Sequence, residues 1–243
     1  MLKSDLIAKN PMGAFNRDAK GTDVARMGLV MARPGSGKTA ILVQIALDSI
    51  LRGKQVVHVS VGENIEKAKA WYDDILSDIS SNAKHEEMAE VQLDVRRNRM
   101  IMTFNASTFS RPKLEERLND LIYQDIFRPC CMIIDGLDFT KLDRQTLEDM
   151  RELQKEANMS IWLSAVTQRE DQEEVVANQG IPAPCDHFSD LFDTVIMLQP
   201  ESGDESKIFL NVLKDSTGCV TSGKSLRLDP TSLVVWGTNF TAA

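Results

Sequence analysis

The segment Ala32-Arg33-Pro34-Gly35-Ser36-Gly37-Lys38-Thr39 constrains the fold more than any other stretch of the chain. It follows directly on the apolar run 27–31, and an amphipathic stretch over 40–51 follows it. Strand, glycine-rich loop and helix in that order are the setting of a phosphate-binding loop. Small residues let successive backbone N–H groups turn inward around an anion. The helix N-terminus brings its positive dipole end to the same point. Arg33, Pro34, Gly35, Ser36, Gly37, Lys38, Thr39 and Ala40 are therefore the candidate phosphate-binding residues. Lys38 is expected to reach the β- and γ-phosphates of ATP, and the Thr39 hydroxyl to hold Mg2+. Ala32 stands where the pattern has its first glycine, which costs little if its φ is negative.

At 243 residues and 42% hydrophobic, the chain can bury one large core or two small ones. No Pro/Gly/Ser-rich linker divides it, so residues 26–243 are expected to form one domain. Residues 1–25 carry no strong pattern and are expected to pack on that core or on a neighbouring subunit. No run approaches the ~18 apolar residues of a membrane span, and residues 1–10 lack the apolar centre of a signal peptide. The four cysteines show no C-x-x-C spacing. Cys130 and Cys131 fall in an apolar strand, with side chains expected on opposite faces, and suit packing. Cys185 and His187 are of metal-ligating type, but two such residues without partners do not make a metal site. These features point to a reduced, cytoplasmic protein without a membrane partner. The net charge of −8 argues against attraction of the whole surface to nucleic acid or anionic lipid, and leaves room for a local basic patch.

Strands are expected at 27–31, 55–61, 100–104, 130–134 and 160–166, alternating with helices at 38–52, 65–79, 84–98, 113–127 and 143–157. A polar loop over 168–189 precedes strands near 194–198, 206–213, 225–228 and 233–236. Alternation followed by a strand-rich end predicts an α/β fold: a mostly parallel β-sheet flanked by helices, with an antiparallel C-terminal extension.

Three further residues fit the loop. The strand 130–134 ends in Asp135 at the carboxyl edge of the sheet, where open α/β folds bind ligands and where a carboxylate can hold Mg2+; a turn-forming Asp before Gly136 is the alternative. Glu63 lies just past the strand 55–61, which is expected beside the loop strand, and is the candidate base for the attacking water; the alternative is an exposed carboxylate in a first helical turn. Gln168 follows the strand after Asp135, where an amide can sense a γ-phosphate and pass its presence into the loop beyond; the alternative is an ordinary polar residue at a strand end.

The order of strand, phosphate loop, Glu after the next strand, apolar strand to Asp, Gln after the next strand and antiparallel tail resembles the RecA-like ATPase core. Ala32-Arg33-Pro34 with Gly37-Lys38-Thr39 resembles the loop of DnaB-type replicative helicases. Ile134-Asp135-Gly136-Leu137 and Val212-Leu213-Lys214-Asp215-Ser216-Thr217-Gly218 are similar to both DnaB-type and KaiC-type ATPases. The resemblance spans residues 25–236. It implies a RecA-like P-loop fold and a homo-oligomer, a ring or filament with a hexamer favoured. It also implies ATP at the subunit interface, with Lys214 as the cation reaching the neighbour's γ-phosphate. Two positions depart from the pattern: Ser216 replaces the second basic residue, and Gly62 stands where these families have their first Glu.

Three functions fit these features. One is an oligomeric ATPase that couples its nucleotide state to a protein partner through the loop after Gln168. That loop carries Glu170, Asp171, Glu173, Glu174, Asp186 and Asp190 against Arg169, and repels phosphate. Another is a helicase or translocase on single-stranded DNA, for which Arg96, Arg97, Arg99, Arg111 and Lys113 offer a basic patch or simply a solvated helix end. The last is a nucleotide-dependent binding module with little turnover.

Overall fold

The structure is a computed structural model that describes residues 2–18, 20–80, 85–167, 180–201, 204–229 and 231–236. The strands are β1 (Met27–Ala32), β2 (Gln55–Val61), β3 (Arg99–Phe104), β4 (Pro129–Asp135), β5 (Ser160–Val166), β6 (Thr194–Glu201), β7 (Asp204–Asp215), β8 (Ser225–Leu228) and β9 (Val235–Trp236). They form one sheet in the order β3-β2-β4-β5-β1-β6-β7-β8-β9. The run from β3 to β6 is parallel, and β7 to β9 continue it antiparallel. The architecture is thus α/β with a mostly parallel sheet and an antiparallel C-terminal extension. β1 is buried at every residue between β5 and β6, as a strand covered on both faces must be.

Each face of the sheet carries its own core. On one lie α2 (Lys38–Leu51), α3 (Ile65–Ile79), α4 (His85–Asn98) and the N-terminal α1 (Leu2–Lys9). On the other lie α5 (Arg111–Tyr123), α6 (Arg144–Glu156) and the 3-10 turn Asp186–Leu191. Every residue of α2 from 40 to 51 is buried. A helix so enclosed tolerates a charge only if it is paired. Asp48 is, accepting from Arg17 and Arg52 at 3.2 and 3.3 Å and from Asn16 at 3.2 Å.

The patternless N-terminus packs into this first core. Met12 and Phe15 are fully buried, and the Phe15 ring meets Trp162 edge-on at 5.7 Å. They sit on a five-residue 3-10 turn, Pro11–Phe15, capped by Asn10. A turn of that length shows no apolar period, which is why the sequence gives no sign of it. Gly28 makes room for Trp162, since a Cβ there would lie 2.3 Å from the indole.

The structure corrects three expectations. β2 does not adjoin β1: its edges are taken by β3 and β4, and β4 and β5 stand between it and the loop strand. Periodicity identifies strands but not their order in the sheet. Cys130 and Cys131 do not face opposite sides. Gln55 pairs with Pro129 and Val56 with Cys131, so Cys130 is an extra residue in a bulge and both cysteines pack on one core. The helix expected over 113–127 begins at Arg111, with Pro112 in its first turn, and ends before Asp125, whose φ is 55°. Residues 168–179 of the expected polar loop lie outside the described residues, and its end contains the 3-10 turn Asp186–Leu191. Among the described residues no helix is long and apolar enough to cross a membrane. All four cysteines are free.

Candidate phosphate-binding site

β1 delivers the chain to its loop at the carboxyl edge of the sheet. Ala32 is the last residue of the strand and is absent from the left-handed residues, so alanine fits there without strain. Gly35 and Gly37 take φ values of 76° and 90°, a region open to glycine and costly for others. Gly37 caps α2. The first amide to bond back into the helix is that of Ile41, to Gly37 O at 3.1 Å. The N–H groups of Lys38, Thr39 and Ala40 thus precede the first intrahelical bond, the arrangement that receives an anion.

The Arg33 carbonyl accepts from Ser36 N–H at 3.3 Å and from Lys38 Nζ at 3.2 Å, so the lysine lies across its own loop. Burial lowers the pKa of Lys38, and the nearby Asp135 opposes that shift. A phosphate at the loop would favour the charged ammonium in the same way.

Thr39 Oγ1 donates to Asp135 Oδ2 at 2.6 Å. The structure therefore brings together the two residues expected to hold Mg2+, 96 positions apart in sequence. Ser164, on β5 between them, donates its hydroxyl to Asp135 Oδ1 and accepts from Gly136 N–H at 3.2 Å. Sequence reasoning missed Ser164. The available sign was a lone hydroxyl within the apolar run 161–165 of a buried strand. Hydroxyl and carboxylate oxygens at a phosphate loop are the hard ligands that suit Mg2+. Among the described residues no group of three or more His, Cys, Asp and Glu could hold a metal.

Glu63 is placed differently. Its carboxylate pairs with Lys67 at 2.6 Å, with both side chains about half exposed. It lines an open groove of 550 Å³ with Gly62, Asn64, Thr103, Phe104, Asn105 and Ala106. The backbones nonetheless meet beside Asp135: a Cβ on Gly136 would lie 2.2 Å from Val61 O. Gly62, at φ 81°, turns the chain into this groove. Gln168 lies outside the described residues. Thr167 before it is buried and donates its N–H to Ala32 O at 3.0 Å, so position 167 abuts the base of the glycine-rich loop.

Lys214 sits on β7 opposite Val195. Val195 is level with Leu29, near the start of β1. That is about 10 Å back along the strands from Ala32, at ~3.3 Å per residue, and two strands across. The Lys214 ammonium donates to Ser189 O at 2.8 Å. Next to it the buried Asp215 pairs with the buried Arg26 at 3.4 Å and accepts from the amides of Cys219 and Val220, which fixes the turn after β7.

The basic run does not form one exposed strip. Arg96 and Arg97 are exposed on α4. Arg99 is partly buried with its guanidinium 4.6 Å from the centre of the Tyr72 ring. Arg111 pairs with Glu115, Asp149 and Glu152 at 2.7 to 3.6 Å, and Lys113 donates to Thr108 O.

No family model matches the chain, and no curated protein is significantly similar to it.

Proposed function

We propose that this chain binds Mg·ATP at residues 33–40 and works as a RecA-like, homo-oligomeric ATPase whose nucleotide state is read by a partner. The observation that carries the proposal is the 2.6 Å contact between Thr39 and Asp135 at the mouth of a glycine-rich loop that opens a helix. The central position of β1 and the antiparallel strands β7 to β9 agree with the architecture implied by the order of motifs. Lys38 and the amides of Lys38, Thr39 and Ala40 hold the phosphates. Thr39 and Asp135 hold Mg2+, which supplies charge neutralisation at the phosphate oxygens. Glu63 takes the proton of the attacking water, and Gln168 relays the presence of the γ-phosphate into the segment beyond it.

The place of Lys214 supports assembly. It lies two strands across from its own loop and about 10 Å back along the strands, at ~3.3 Å per residue, with its ammonium held on Ser189 O, a place that suits service to a neighbour's phosphates better than to its own. A head-to-tail contact of that kind builds rings or filaments. The acidic composition after Gln168 favours a basic protein partner, and the engagement of Arg99 and Arg111 disfavours single-stranded DNA along 95–113. Free cysteines fit a reducing compartment such as the cytoplasm.

A second reading, a nucleotide-dependent binding module with little turnover, is favoured by Gly62 and by the outward, Lys67-paired position of Glu63. Titration with a fluorescent ATP analogue, with and without Mg2+, followed by a phosphate-release assay, tests both. Saturable, Mg2+-dependent binding with phosphate release supports the first reading. Binding without release supports the second, and no binding removes both.

A further inference from the structure

The centre of β5 reads Ile161-Trp162-Leu163-Ser164-Ala165, and Ser164 is 3% exposed. A hydroxyl so buried needs partners, and it has one in each role. It donates to Asp135 Oδ1 and accepts from Gly136 N–H. Asp135 Oδ2 takes the Thr39 proton. The carboxylate is therefore held at both oxygens, by hydroxyls from two different elements. Its backbone is fixed as well. Gly136 has φ 94°, and its close approach to Val61 O leaves no room for a side chain. Ile134 pairs with Leu163, which brings Asp135 and Ser164 side by side one residue further on.

We propose that Ser164 is a positioning residue for the metal carboxylate: by occupying Oδ1 it turns Oδ2 toward Thr39 and so sets the Mg2+ affinity of the site. The proposal rests on reading residues 32–39 as a nucleotide loop. Without the Ser164 hydroxyl, Asp135 is free to rotate about its side-chain bonds, and the Gly136 N–H loses its partner. Outer partners of metal ligands typically alter metal affinity by 10–100-fold.

Ser60 provides the control. It pairs in register with Asp135 from the other side, on β2, and is 4% exposed, yet no hydrogen bond joins it to the carboxylate. The experiment titrates MgCl2 into protein with a fixed concentration of a fluorescent ATP analogue, and measures analogue binding in EDTA separately. For Ser164→Ala the Mg2+ midpoint should rise about tenfold, with binding in EDTA unchanged. Ser164→Cys, with its weaker donor, should fall between alanine and wild type. Ser60→Ala should match wild type. An unchanged midpoint in Ser164→Ala overturns the proposal. So does an equal loss of binding with and without Mg2+, or an equal shift in Ser60→Ala, because each marks a structural effect. Absence of analogue binding by the wild-type protein overturns the nucleotide reading itself and this proposal with it. That failure shows in the wild type alone, whereas failure of the Ser164 role shows only in the comparison of variants.

Discussion

The ends of β4 and β2 are neighbours at the carboxyl edge of the sheet, and they are built in opposite ways. At the end of β4, Asp135 is held by Thr39 and Ser164, and Lys38 is folded back on Arg33 O. Two residues past the end of β2, Glu63 stands half exposed over an open groove, with one surface partner, Lys67, in the first turn of the helix that follows. An exposed pair of that kind contributes only about 0.2–1 kcal/mol, so it does not lock the carboxylate in place. The interlocked place is organised without any ligand. The open place is free to be completed by something else, and on the proposed assembly Lys214 is the residue that a neighbour would contribute. Affinity should therefore depend on the first region and turnover on the second.

The strongest test of that division is Glu63→Gln. Removing a general base should slow hydrolysis by ~10²–10⁴-fold while sparing ATP binding. Equal phosphate release by mutant and wild type would remove Glu63 from catalysis. Lys214→Ala should follow, with a loss of ~10²–10³-fold, the size expected for one group that stabilises transition-state charge. On the proposed assembly the two residues serve one site from different subunits, and mixing Glu63→Gln with Lys214→Ala protein should then restore part of the activity. A protein that stays monomeric by light scattering and turns over fully when diluted contradicts the shared site.

Asp135→Asn belongs to the binding region. It should raise the Mg2+ requirement about 10–100-fold and leave metal-free binding of the analogue nearly unchanged. A mutant that binds Mg·ATP normally but hydrolyses slowly would place Asp135 with Glu63 and break the comparison. The smallest effect is a pH dependence. Burial, opposed by Asp135, holds the pKa of Lys38 below its ordinary 10.5. The charged lysine is the form that binds phosphate, so affinity should fall few-fold as pH rises and should begin to fall below 10.5. Affinity that stays flat to that pH would show that Lys38 is not perturbed in solution.

The strand, loop and helix of the candidate site, and the place of Asp135 beside them, were legible in the sequence because those parts are local. A loop between strand and helix is read from adjacent residues, and Asp135 is marked by the apolar strand before it. The alternation of strands and helices was legible for the same reason. The order of strands was not: nothing in the residues of β2 indicates that β4 and β5 separate it from β1. Ser164 was silent because its role comes from a neighbour across a β-ladder. Phe15 was silent because its partner, Trp162, is far away in sequence and its own turn has no period. The basic run looked continuous because sequence does not show that Arg99 stacks on Tyr72 or that α6 supplies acids to Arg111.

The most direct test of the central claim is calorimetric titration of Mg·ATP into wild-type protein and into Lys38→Ala. The Lys38 ammonium bonds to Arg33 O of its own loop, so the mutant should keep the wild-type circular dichroism. It should bind about 10–100-fold more weakly, as expected for loss of a charged hydrogen-bond donor worth about 1.5–3 kcal/mol. Saturable binding by the wild type and this loss in the mutant are the predicted result. Equal affinity in the two proteins, or no heat of binding in either, would contradict the assignment of residues 32–39 as a nucleotide site.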